Sequence, residues 1–297
     1  MREAPGETMN DTSETPAPAG TPAKKRSMPE IRTIAVADIM QSLTAGLRDF
    51  QAAPLYGLTF GVLYAIGGWA ILYNLVAYDV SFMIYPLASG FALVAPFIAA
   101  GLYEVSRARE AGEGLTWGRV FGAVLGQTRR ELGWMALVTT FMFFIWLEIA
   151  IILYVVVFGL SALNLPQMMS GIFGSLDGAL FLLIGNVIGA FLGIVCFSLT
   201  AVSFPLLLDR NVDFITAMIT SVQAVTRNPR PMLMWAFLIA MLSLVSVASV
   251  FIALIVVLPV LGHATWHVYR KVVVPEGGDV GGDVGGDVGG EPGKAAA

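Results

Sequence analysis

Long apolar runs separated by short polar segments dominate the chain. The five runs are residues 55–78, 82–103, 132–160, 179–208 and 232–268. A helix needs about 20 mostly apolar residues to cross the hydrocarbon of a bilayer, so each of the first four runs predicts one membrane span. The fifth run is long enough for two spans if the chain reverses within it. The pattern therefore predicts an all-α bundle of transmembrane helices.

The positions of lysine and arginine indicate which segments lie in the cytoplasm, where these residues collect. They precede the first run, follow the second and fourth runs, and end the fifth at Arg270 and Lys271. The segments between runs one and two and between runs three and four contain neither residue. Arg270 and Lys271 reach the same side as the others only if the fifth run folds back near residues 246–249. We therefore expect six spans, with both termini in the cytoplasm.

A short amphipathic segment precedes each expected hairpin, at residues 38–50, 116–127 and 213–225. Its apolar positions follow the 3.6-residue period of a helix that is apolar on one side. Each segment opens with a residue suited to an N-cap, namely Asp38, Thr116 and Asp213. The sequence thus predicts three repeats of an amphipathic helix followed by a helical hairpin.

Two spacings recur between the first and third of these repeats. They are the spacing of Asp38 to Pro54 and Asp213 to Pro229, and the spacing of Pro96 to Arg107 and Pro259 to Arg270. The second spacing makes Glu104 and His267 equivalent positions.

The composition excludes a soluble enzyme. Only 13% of residues are charged and 57% are hydrophobic, whereas soluble domains carry about 25% charged residues. Residues 1–30 predict a disordered cytoplasmic extension and 274–297 a flexible Gly/Asp-rich tail, which leaves 31–273 as the membrane domain. The net charge of −4 arises from acidic residues of that tail, so no nucleic-acid partner is expected. The expected surroundings are the lipid bilayer, with a membrane-protein partner or a homo-oligomer left open.

Four polar residues form the candidate intramembrane site: Glu148, Glu104, His263 and His267. Glu148 lies within the third run, where acids either mark function or stay hydrogen-bonded inside the bundle. The two histidines stand four residues apart on one helix face, a spacing that can ligate a metal or haem; the alternative is hydrogen bonding at the interface. No catalytic motif is present. We therefore predict no catalytic residue, metal or cofactor, and lean against an enzyme.

Six stretches carry a resemblance to a known family: DFQAAP (49–54), PLASGF (86–91), GLYEVSR (101–107), PLLLDR (205–210), AMITSV (217–222) and residues 259–270. The chain resembles, over about residues 31–273, the bacterial integral membrane family catalogued as domain of unknown function 2189. The resemblance implies a multi-pass protein of the bacterial inner membrane. Some members are labelled as cytochrome c oxidase subunits, but two histidines cannot supply the haem and copper ligands of a catalytic oxidase subunit.

Two functional classes follow from these observations. The first is a non-enzymatic membrane protein that is structural, assists assembly or resembles a transporter. The second is a haem- or metal-associated redox protein of the respiratory chain that uses His263 and His267.

Overall fold

The computed structural model describes residues 28–77, 84–125, 129–159 and 165–275, and these residues form an all-helical bundle. The all-α prediction is therefore confirmed. The helices are α1 (Val36–Ala52), α2 (Pro54–Ala77), α3 (Ile84–Glu110), α4 (Trp117–Leu125), α5 (Arg129–Phe158), α6 (Leu165–Gly174), α7 (Leu176–Thr200), α8 (Ser203–Asp209), α9 (Phe214–Arg227), α10 (Pro229–Ala248) and α11 (Leu254–Val272).

Four stretches in the described part of the chain are long and apolar enough to cross a membrane: Pro54–Asn74, Glu131–Phe158, Leu176–Asp209 and Pro229–Ala248. They lie in α2, in α5, in α7 with α8, and in α10. Helices α3 and α11 are not among them. Several apolar helices of membrane-spanning length mark an integral membrane protein, as the sequence predicted.

Helix α11 packs antiparallel to α2, and glycines allow the close approach. A Cβ added at Gly57 would lie 3.0 Å from Pro259, and one at Gly68 would lie 3.1 Å from the ring of Phe251. The contacts therefore run in opposite directions along the two helices. Small residues let helices approach closely in lipid, where hydrophobicity gives little driving force for association.

Helices α3 and α11 run parallel, while α1 packs against α11. Leu102 of α3 lies beside Gly262 of α11. Further toward the C-terminal end of both helices, Trp266 Nε1 of α11 donates a hydrogen bond to Glu110 Oε2 of α3 at 2.9 Å. At the contact of α1 with α11, a Cβ added at Gly46 would lie only 2.5 Å from the backbone nitrogen of Ala264. The two helix backbones therefore lie so close together that a larger residue than glycine at position 46 would collide with α11.

The chain reverses between α10 and α11, close to the predicted residues 246–249. Helix α10 ends at Ala248, and Val250 and Phe251 take positive φ angles of 53° and 65°. Trp69 Nε1 donates a hydrogen bond of 2.6 Å to the carbonyl oxygen of Val250. The turn is thereby fastened to α2.

The predicted N-caps have different outcomes. Asp213 is the N-cap of α9 and accepts a hydrogen bond from Thr216 N at 2.9 Å, as expected. The prediction for Asp38 was wrong, because α1 begins at Val36 with Ala35 at the N-cap. Asp38 is the third helical residue, and its carboxylate accepts from Ala35 N at 2.8 Å. An acid at that position reaches back to the cap, so the helix starts one turn earlier.

The two ends of the described chain meet. Ile31 and Val273 form an isolated antiparallel bridge, and Val274 N donates to Glu30 O at 3.0 Å. Residues 28–30 and 274–275 are thus part of the packed body, whereas the rest of the two predicted tails lies outside the described residues. The expected first hairpin turn, at Asp79 and Ser81, also lies outside them.

Candidate functional site

Polar side chains collect at one end of the bundle, where α1, α4 and α8 meet the C-terminal turns of α3 and α11. We call this set the polar layer. Its members are Asp49, Glu104, Ser106, Arg107, Arg109, Glu110, Arg119, Asp209, His263, His267, Tyr269 and Arg270.

Asp49 on α1 joins three helices. Its carboxylate accepts a hydrogen bond from Arg109 Nε at 2.9 Å and lies 2.7 Å from His267 Nε2. The residue is only 8% exposed. Burial by itself would raise the pKa of Asp49, but hydrogen bonds from His267, Arg109 and Ser106 outweigh it and lower the pKa to about 2. Asp49 is therefore an ionised anchor between α1, α3 and α11.

His263 lies deeper in the same region and is fully buried. Its Nδ1 atom lies 2.9 Å from the hydroxyl of Ser106. Its Nε2 atom has no hydrogen-bond partner among the described residues. An unpaired buried ring nitrogen carries a free-energy cost, and among the four predicted site residues only His263 has a buried polar atom that the described residues leave without a partner.

Glu104 forms a second centre that links α3 to α4. It is 2% exposed and accepts hydrogen bonds from Arg107 Nε and Arg119 Nε, both at 2.7 Å. Two guanidinium groups on one buried carboxylate compensate its lost hydration. Glu104 therefore fixes the position of α4 and has no carboxylate oxygen left without a cationic partner.

A third group connects the ends of α3, α8 and α11. Glu110 accepts hydrogen bonds from Trp266 Nε1 and Arg270 Nε, each at 2.9 Å. The Tyr269 hydroxyl donates to Asp209 at 2.5 Å. Together with Asp49 and Glu104, these acids connect α1, α3, α4, α8 and α11 through side-chain hydrogen bonds.

The structure brings together three of the four predicted site residues. Glu104, His263 and His267 lie at the same end of the parallel pair α3 and α11, but each binds a different partner. Glu148 is an exposed residue of α5 and does not belong to the polar layer. Among the described residues, no group of three or more His, Cys, Asp or Glu side chains could hold a metal ion.

Sequence reasoning missed Asp49, Ser106 and Arg109. Asp49 and Ser106 lie in stretches that carry the family resemblance, which was the available signal. In the structure Asp49 shares the buried face of α1 with Ile39, Ser42 and Gly46, and a buried acid needs a partner.

A cavity of about 680 Å³ lies between α5 and α7. Its wall is almost entirely apolar, with polar contributions from Thr139, Asn186 and Cys196. The Asn186 amide donates to the Leu182 carbonyl of its own helix at 2.7 Å. No charged residue is among the described residues that line the cavity. Its size lies in the range of about 300–1,000 Å³ typical of ligand sites, but it offers no group to hold a charged substrate.

The comparisons with known proteins agree with this architecture. A family model described as "Predicted integral membrane protein (DUF2189)" matches residues 84–209, which span α3 to α8. The match includes the stretches at 86–91 and 101–107 that carry the resemblance, and all but the last residue of the stretch at 205–210. The stretches at 49–54, 217–222 and 259–270 lie outside it. No curated protein and no solved structure matches the chain. From α3 to α8, this integral membrane protein is therefore similar to DUF2189, a family of predicted integral membrane proteins of unknown function.

Proposed function

We propose that the protein is a non-enzymatic, six-span protein of the bacterial inner membrane, with both termini in the cytoplasm, that acts as a structural or assembly partner of another membrane protein. The observation that carries this proposal is the exposure of the α5–α7 hairpin. In the most apolar stretch of α5 only 6% of residues are buried inside the chain, and in that of α7 none are, against 28% in α2 and 22% in α10.

The helix ends support six spans. Glu131 at the start of α5 accepts a hydrogen bond at 3.1 Å from the backbone N–H of Phe214, the first residue of α9. Tyr269 near the end of α11 binds Asp209 at the end of α8, and Glu110 at the end of α3 binds Arg270. These ends share one side of the bundle, which is the side that carries the described arginines and lysines.

Two matching junctions support the repeat. Ala53 before α2 has φ −135° and ψ 53°, and Asn228 before α10 has φ −125° and ψ 53°. In both, the backbone N–H binds the carbonyl oxygen four residues earlier, and a proline opens the next helix. The corresponding spacing in the sequence is therefore matched by the same local backbone.

The order of packing supports three units arranged in a ring. The last helix of each unit packs against the amphipathic helix of the next, in the pairs α3–α4, α8–α9 and α11–α1. Helices α3, α8 and α11 also pack against one another. Of the four apolar stretches, those of α5 and α7, the spans of the second unit, are the least buried.

An assembly role explains the exposed hairpin better than transport or redox chemistry. The acids of the polar layer are tied to arginines or to histidine, and the α5–α7 cavity is apolar, so neither supplies a polar route across the membrane. His263 and His267 bind Ser106 and Asp49. The occupant proposed for the hairpin surface is an apolar transmembrane helix, because the side chains that α7 leaves exposed, such as Val187 and Phe191, are apolar along a stretch long enough to span a membrane.

Photo-crosslinking in intact cells tests the assembly role. A photoreactive residue replaces Val187 or Phe191 on α7, which are 63% and 65% exposed, and the matched control replaces Leu63 on α2, which is 55% exposed. We expect one protein adduct shared by the two α7 positions and absent from the α2 position. If the crosslinked partner is a second copy of this chain, co-expression of two differently tagged copies identifies it, because the adduct then carries both tags. Lipid adducts alone at all three positions would contradict the proposal.

A spectrum of the purified protein tests the redox alternative. We expect no Soret band and no bound transition metal in protein purified without chelators. A stoichiometric haem or metal that is lost in His263→Ala, in His267→Ala or in both would replace the assembly proposal with the redox class.

A further inference from the structure

Three exposed arginines lie near the start of α10 and in the segment that packs against it. We call Arg32, Arg227 and Arg230 the basic patch. Each side chain is exposed, and none makes an ion pair with any residue that the structure describes. By contrast, acids bind the cations of the α3, α4 and α11 ends, namely Arg107, Arg109, Arg119, Arg270 and Lys271.

Asn228 brings the three arginines together. Its Nδ2 atom donates to the Arg32 carbonyl at 2.9 Å, and its Oδ1 atom accepts from Ile34 N at 2.8 Å. Arg227 and Arg230 flank Asn228 in the chain. Asn228 is 2% exposed, so a buried amide fixes the backbone of Arg32 against the α9–α10 junction, next to the positions of Arg227 and Arg230 in the chain.

The patch lies at the boundary of a membrane span. The apolar stretch of α10 begins at Pro229, between Arg227 and Arg230, so these guanidinium groups lie at the depth of the lipid headgroups. Arginine binds phosphate strongly because its planar fork makes two parallel hydrogen bonds.

An exposed apolar strip continues from the patch along α10. We call the strip Leu233, Phe237, Met241 and Leu244, with exposures of 44%, 59%, 42% and 59%. These residues recur every three or four positions from Arg230, and therefore share its face of the helix. At about 1.5 Å per residue the strip reaches roughly 20 Å below Arg230, which covers one leaflet of a hydrocarbon core about 30 Å thick.

We infer that the basic patch and the apolar strip form a binding site for an anionic phospholipid. The phosphate of the headgroup binds Arg32, Arg227 and Arg230, and an acyl chain lies along α10. The site rests on the proposed membrane placement of α10 and adds a specific lipid to the proposed function. The nearest acid in the segment, Glu30, lies two residues before Arg32 and makes no ion pair with a residue that the structure describes, so no described acid pairs with the patch.

Lipid titration of the purified full-length protein in neutral detergent tests the site. The probes are phosphatidylglycerol, phosphatidylcholine and inorganic phosphate, and the readouts are bound lipid by native mass spectrometry and the midpoint of thermal unfolding. The test variant is Arg32→Gln/Arg227→Gln/Arg230→Gln. The matched control is Arg48→Gln, which removes an exposed arginine of α1 that likewise makes no ion pair within the described part of the chain.

We expect phosphatidylglycerol to bind and stabilise the wild type and Arg48→Gln equally. Each patch arginine contributes about a fivefold gain in affinity, so the triple variant loses roughly a hundredfold. Binding also weakens as salt rises from about 0.1 M to about 1 M, because the screening length falls from about 10 Å to about 3 Å. If the triple variant does not fold, Arg227→Gln and Arg230→Gln are tested singly, each with about a fivefold loss expected.

Four results would overturn the inference: wild-type affinity in the triple or single variants, equal binding of phosphatidylcholine, equal binding of inorganic phosphate, or the same loss in Arg48→Gln. Because detergent has no sides, these outcomes do not depend on the orientation of the protein. A failure of the assembly proposal in the crosslinking experiment would leave them unchanged.

Discussion

At Asp49, one carboxylate holds three helices together at a position that the sequence marks only as part of an amphipathic segment. Its hydrogen bonds to Arg109 and His267 cross from α1 to α3 and α11. The pairing depends on residues far apart in the chain, which no local pattern reveals. Glu104, His263 and His267 could be selected from the sequence because charged and titratable residues are rare in its apolar runs. Their partners could not be selected, since partners are decided by packing.

Asp49→Asn should destabilise the protein by about 2 kcal/mol at neutral pH, because the pKa of Asp49 falls from 3.8 to about 2 on folding. A lowered pKa stabilises the fold above pH 4 and stops doing so as the pH falls toward 2. The difference in unfolding free energy between wild type and variant should therefore shrink over that range. Unfolding in detergent, followed by circular dichroism, measures it.

Asp38→Asn is the control for this prediction on the same helix. Asp38 pairs with Lys271 at 2.7 Å, but both side chains are about 30% exposed, so the expected loss is below about 1 kcal/mol. Equal losses for the two variants would contradict the role assigned to Asp49.

Gly46→Ala should destabilise the protein by about 1–3 kcal/mol, since the new methyl group would meet the backbone of Ala264. Gly122→Ala is the matched control in amphipathic helix α4. No atom lies within 4 Å of a Cβ added at Gly122, and alanine favours a helix over glycine by about 1 kcal/mol, so this variant should be neutral or more stable. Paired thermal unfolding curves measure both; a Gly46→Ala variant as stable as wild type would show that α1 and α11 are not in close contact.

At the scale of single elements, the apolar runs predicted the helices well and their boundaries less well. Run 179–208 corresponds to α7 and α8, with a break at residues 201–202 just before Pro205. Proline lacks the N–H that would continue the helix ladder, which explains the break. The polar stretch between runs three and four contains a helix, α6 (Leu165–Gly174), that the apolar runs did not predict.

The α10–α11 turn offers a test of strain in one element. Val250 holds φ at 53°, a conformation that costs a residue with a Cβ about 1–2 kcal/mol. Val250→Gly should therefore stabilise the protein by about 0.5–1 kcal/mol after the entropic cost of glycine. Val247→Gly, at an exposed position within helix α10, should instead destabilise it by about 1 kcal/mol. Chemical unfolding compares the two, and the same sign for both variants would contradict the strained turn.

At the scale of the whole molecule, the sequence indicated sidedness but not how the units pack. The positions of lysine and arginine predict which flanks are cytoplasmic, and the recurring spacings predict repeated units. The order of packing around α3, α8 and α11 could not be predicted, because it depends on close contacts such as Gly262 against Leu102. Such contacts depend on the shapes of the two helix surfaces, and the composition of an apolar run does not specify those shapes.

Reporter fusions test the proposed topology. A fluorescent protein fused after Ala297 should be bright, and alkaline phosphatase at that position should be inactive, because the six-span arrangement keeps this end inside. Alkaline phosphatase inserted within 160–164, between α5 and α6, should be active and serves as the positive control. An active phosphatase at both positions would require an odd number of spans.

The bridge between Ile31 and Val273 has a consequence for the biogenesis of the protein. Helix α1 leaves the ribosome before the other described helices, but its main partner, α11, is the last of them in the chain. During synthesis, which runs at about 5–20 residues per second, the buried face of α1 therefore stays uncovered until α11 has been made. The interval before α11 packs against α1 is the time when a chaperone or insertase could act on this chain.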